Sequence, residues 1–130
     1  MNEGETQAGL ATTPYYRYAE VVGSRLFVSG QVPHDSDAEI VGVGDPRAQA
    51  VRCLKNLETL LGVHDFAVED IRRLTVYVVG EEQNLIDTWD AVTTWFANNV
   101  PPATLLGVHL LGHTDQLVEI DADIVKVSEP

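Results

Sequence analysis

A chain of 130 residues is long enough for one domain around a single core. Eight Lys and Arg against 20 Asp and Glu give a formal net charge of −12 at pH 7, and so acidic a surface repels phosphate backbones, which argues against a nucleic-acid partner. No apolar run reaches the ~18 residues that a membrane span needs. The start, Met1-Asn2-Glu3-Gly4-Glu5-Thr6, is too polar and acidic for a signal peptide, and the single Cys53 fits a reducing cytoplasm.

Residues 1–12 are small and polar without periodicity and read as a flexible N-terminal arm; residues 13–130 then form the one domain. Tyr15 to Val22 and Arg25 to Gln31 read as two strands joined by Gly23-Ser24, a hairpin turn signal. Glu39 to Val43 suggests a short third strand. Asp45-Pro46 starts a helix, since Asp caps free amides and Pro suits the first helical position. Ala50, Cys53, Leu54, Leu57 and Leu61 fall on one face of it, and Gly62 suits its left-handed end.

Asp70 to Val79 reads as a strand with Leu74, Val76 and Val78 on one side and Thr75 and Tyr77 on the other. Leu85, Trp89, Val92 and Phe96 define a second amphipathic helix, stopped by Asn98-Asn99 and Pro101-Pro102. Thr104 to Leu110 and Leu117 to Val127 complete the set as strands, the latter with Val118, Ile120, Ala122 and Ile124 on one face and Glu119, Asp121 and Asp123 on the other. Two striped helices can cover only one face of such a sheet, which predicts an α+β two-layer sandwich. The uncovered face, expected to carry Leu105, Gly107 and Tyr77, should be buried by self-association.

Short motifs in a fixed order carry a resemblance. Pro14-Tyr15-Tyr16, Ser29-Gly30-Gln31, Asn56 within the first helix, Val76-Tyr77-Val78, Pro101-Pro102-Ala103 and Val118-Glu119-Ile120-Asp121 together resemble the YjgF/RidA family over about residues 14 to 127. The resemblance implies a chorismate-mutase-like fold, a mixed sheet with two helices on one face, a homotrimer, and small-molecule clefts between subunits. It implies cofactor-independent hydrolysis of imines and enamines, a hydrolase or deaminase acting on C=N bonds.

The resemblance points to Glu119 as the catalytic residue and to Tyr16, Ser29, Gly30, Trp89 and Thr104 as substrate-binding. Imine hydrolysis needs a water aimed at the C=N carbon and a proton for the nitrogen; a partly buried carboxylate at Glu119 could serve both, or hold the water. The alternative is that Glu119, Asp121 and Asp123 form a solvated acidic face. Ser29 has no His or Asp spaced to make it a nucleophile, so Ser29-Gly30 would offer backbone. Tyr16 could stack on a ligand or pack at an interface. Trp89 lies on the helix stripe, where core packing competes with a place in the cleft.

Thr104 departs from the pattern: deaminating members have an arginine there that pairs with the substrate carboxylate. A hydroxyl offers one neutral bond where a guanidinium offers two charge-assisted ones. The departure predicts weak activity on 2-iminopropionate, a preference for a larger or less charged substrate, or a non-catalytic, ligand-binding or regulatory trimer. Arg17, beside Tyr16, is a possible substitute cation, although neighbours in a strand face opposite ways. His34, His64, His109 and His113 form no metal-ligand pattern, so neither a metal nor a cofactor is expected.

Overall fold

The computed structural model describes residues 3–127 of the chain. Five strands form one sheet in the order β1-β2-β5-β3-β4, with β1 Ala19–Val22, β2 Arg25–Val28, β3 Ile71–Val79, β4 Ala103–Val108 and β5 Val118–Val125. Only β3 and β4 run parallel; the other neighbours are antiparallel. The parallel step needs a crossover, and α3 Glu82–Trp95 supplies it. With α2 Pro46–Val63 it covers one face of the sheet, so the expected α+β sandwich is the fold.

Alternation explains the layers. Leu74, Val76 and Val78 of β3 and Val118, Ile120, Ala122 and Ile124 of β5 are buried against Ala50, Cys53, Leu54, Leu57 and Leu61 of α2. Cys53 is fully enclosed, its Sγ 3.2 Å from the Gln31 carbonyl it donates to, and burial pushes its thiol well above the usual range. Trp89 and Leu85 of α3 pack on the same core.

Several boundaries differ from the sequence reading. Residues 14–16 form a turn, so the first strand begins at Ala19, and Glu39–Val43 makes only an isolated bridge, His34 to Ile40. Helix α2 runs through Gly62; the left-handed residue is Asp65, with φ 62°, a conformation a short polar side chain tolerates. Leu105 and Gly107 face the helices, because they pair with Val76 and Val78. The open face of β4 instead carries Thr104, Leu106 and Val108.

The largest difference is at the start. The expected arm contains α1 Glu3–Gln7, which packs on α2, and Leu10 and Ala11 are buried. Glu5, 3% exposed, places Oε2 2.8 Å from His64 Nε2 at the end of α2. A charge-assisted contact between residues so far apart in sequence leaves no trace in local periodicity, which is why the segment reads as loose.

His34, at 7% exposure, packs edge-to-face on His113 at 6.4 Å, while Asn56 Nδ2 donates to its carbonyl at 3.0 Å. Burial lowers the His34 imidazole pKa from 6.5, with His113 adding to the depression and Asp35 opposing it. A base with a depressed folded-state pKa takes up its proton first in the unfolded chain. Its contribution is therefore intact above 6.5 and lost as pH falls below it. Melting temperatures compared at about pH 7.5 and 5.5 should fall on acidification, and His34→Gln should flatten that fall; an unchanged slope would remove His34 from the account.

Candidate functional site

The open sheet face gathers the polar residues. Register puts Tyr77 between Leu106 and Glu119, and Thr75 between Thr104 and Asp121. Glu119 is half-buried, and its carboxylate lies over Gly30. A Cβ at Gly30 would come within 2.8 Å of Glu119 Cδ, closer than side-chain carbons approach, so the glycine is what lets the carboxylate lie on the β2 exit. Ser29 precedes it, its amide donating to the Tyr18 carbonyl at 2.8 Å. Tyr16 joins them electrostatically: burial, then the Glu119 charge, raises its phenol pKa above the usual 10.0.

Gln116, which sequence reasoning missed, steadies this group. It is 3% exposed, donates to Glu119 Oε1 at 3.3 Å and to the Val118 carbonyl at 3.1 Å, and accepts from the His113 amide. Behind it stands Gln49, fully buried on α2. Gln49 Nε2 donates to the carbonyls of Gly42 and Asp115, and Oε1 accepts from the amides of Leu117 and Val118. These bonds fix the turn from which Gln116 and Glu119 project.

Thr104 lies apart. It is two strands and one rung from Glu119, a backbone separation of about 12 Å, too far for a small ligand to touch both within one chain. Its hydroxyl is not alone: Arg73 Nη2 donates to Thr104 Oγ1 at 2.9 Å. Arg73 alternates with buried Leu74 and so faces the open side, while the β-bulge between Ile71 and Arg73 lets Ile71 face the core as well. Arg17, the cation considered from sequence, is paired with Glu20 at 3.4 Å. Trp89 lies on the helix side of the sheet, packed on the core, and is not brought together with Glu119 and Thr104.

A wide cleft of about 790 Å³ opens elsewhere, lined by Trp95, Phe96, Val100, Pro101, Glu58 and Glu69. Its lining includes none of Tyr16, Ser29, Gly30, Trp89, Thr104 and Glu119 and offers carboxylates without a cation, so the sheet face is the better candidate. Among the described residues no group of three or more His, Cys, Asp and Glu could hold a metal, and no described helix is long and apolar enough to cross a membrane.

The chain is 27% identical over 105 residues to a RutC family protein of Sulfurisphaera tokodaii, covering 81% of this chain and 82% of that one. A RutC family protein of Pyrococcus horikoshii is 26% identical over 107 residues, 82% of this chain and 83% of the relative. Among solved structures, E. coli TdcF with bound serine superposes with a TM-score of 0.81 at 24% identity, covering 93% and 95% of the two chains. The E. coli YjgF gene product gives 0.79 at 24%, covering 90% and 92%. The family model described as endoribonuclease L-PSP matches residues 6–126, nearly the whole described fold, and the chain therefore belongs to that family, the YjgF/RidA family its motifs resemble.

Proposed function

We propose that the protein is a cytoplasmic homotrimer hydrolysing a small imine or enamine in clefts between subunits. The observation that carries this reading is the Glu119 carboxylate, half-buried, seated over Gly30 and steadied by Gln116. Glu119 takes a proton from a water as the water oxygen bonds to the C=N carbon. That proton passes to nitrogen, giving a hydroxy-amine adduct; the adduct's hydroxyl proton then moves through the same carboxylate to the nitrogen as the C–N bond breaks, and ammonia leaves a carbonyl product. The imine carbon is already electrophilic, so this chemistry needs no cofactor.

Assembly is supported by the uncovered face and edge, where Tyr16 is 49%, Phe27 47% and Val22 55% exposed; apolar area of this kind favours a symmetric partner. The separation of Thr104 from Glu119 supports clefts in which one subunit's β3–β4 edge meets the Tyr16–Gly30–Glu119 cluster of its neighbour. The net charge of −12 favours this reading over RNA cleavage, despite the family model's description.

The test is an assay on imines generated in situ from a series of amino acids. Ammonia release above the spontaneous rate for at least one member is the expected result. Rates equal to the spontaneous ones across the series, with a small ligand still bound, would favour the non-catalytic trimer.

A further inference from the structure

We propose that Arg73, held by Thr104, is the anchor for a carboxylate-bearing ligand in this chain. The inference rests on the cleft reading above and names a different cation from Arg17, the substitute considered from sequence. A guanidinium carries five donors, and the structure gives one nitrogen, Nη2, to Thr104 Oγ1. The carboxylates that could neutralise it are engaged elsewhere. Asp123, opposite Arg73 in register, pairs with Arg25 at 3.6 Å. Asp121 accepts from the Ala122 amide at 2.8 Å, and burial raises its carboxyl pKa, with Asp123 adding to the rise. Among the described residues Arg73 makes no ion pair.

An exposed, unneutralised guanidinium with its remaining edge free suits a two-point contact to a carboxylate. Thr104 then acts as a positioning residue, since its hydroxyl oxygen can only accept from Arg73. The charge lies at the level of the Thr104 hydroxyl, close to the β4 backbone. An arginine side chain at 104 would carry it farther out.

The probe is pyruvate, the 2-oxo acid left by hydrolysis of the alanine-derived imine, titrated into the full-length protein and followed by amide NMR shifts and calorimetry. Arg73→Gln should weaken binding about ten-fold or more, Arg73→Lys should recover part of the loss, and Thr104→Val should weaken it a few-fold. Glu119→Gln should still bind. Arg73 is exposed, so the fold survives its replacement. Equal affinity of Arg73→Gln and the parent, or a KM for imines unchanged by it, would overturn the anchor while leaving the hydrolase reading intact. Arg73-dependent pyruvate binding without any imine turnover would support the anchor and defeat the hydrolase reading.

Discussion

Replacing Gln49 with leucine is expected to destabilise the protein by about 3–6 kcal/mol. The side chain is 0% exposed and satisfies four backbone groups at once: the carbonyls of Gly42 and Asp115 and the amides of Leu117 and Val118. Leucine has nearly the same volume, so the packing term is small and the cost is that of stranding those groups. Each buried, unpartnered group costs about 1–3 kcal/mol, and the outer ones regain some of it from water. Against a total stability of about 5–15 kcal/mol this is a large fraction. Urea unfolding should show a midpoint that falls steeply with little change in slope. Gln49→Glu, which would turn a carboxylate oxygen toward the Gly42 and Asp115 carbonyls at a fully buried site, should be at least as destabilised as the leucine variant at neutral pH. A leucine variant within about 1 kcal/mol of the parent would mean that Gln49 is not what ties α2 to the β5 turn.

The same residue shows what the sequence conceals. The two helices, the strands from Ile71 onward and the buried faces of β3 and β5 are legible because each is a local period of apolar residues. Gln49 breaks the apolar stripe of α2 by one polar side chain, and only the positions of Gly42, Asp115 and Leu117 in space explain it. The Glu5–His64 contact and the Gln116–Glu119 contact are hidden for related reasons. The first joins distant segments; the second is short in sequence but depends on the conformation of a turn.

At the candidate site, the motif positions Ser29-Gly30 and Glu119 are legible and meet in the fold. Trp89 is legible only as one of two possibilities, and alternation of layers decides for the core. Alternation with Leu74 places Arg73 on the open face beside Thr75 and Tyr77, but its meeting with Thr104 depends on the register of β3 against β4, which the sequence does not show. The Ile71 to Leu74 spacing departs from two, and a bulge is its physical reading.

Glu119→Gln is expected to lower kcat for imine hydrolysis by about 10²–10⁴-fold, the usual range for removing a general acid–base group, with KM changed a few-fold at most. The amide is nearly isosteric, can still lie over Gly30, and can still meet Gln116, so the fold and cleft should persist. What disappears is the capacity to take a proton from water and pass it to nitrogen. Because the carboxylate charge is, after burial, a cause of the raised Tyr16 pKa, the same variant should also let the Tyr16 phenol ionise closer to 10.0, which ultraviolet titration reads without any substrate. Gln116→Leu, which leaves the carboxylate but removes its support, should lower kcat by less. If Glu119→Gln moves the Tyr16 titration and keeps the parent's kcat, the carboxylate is in place but is not the proton carrier, and the chemistry must be assigned to another group in the cleft.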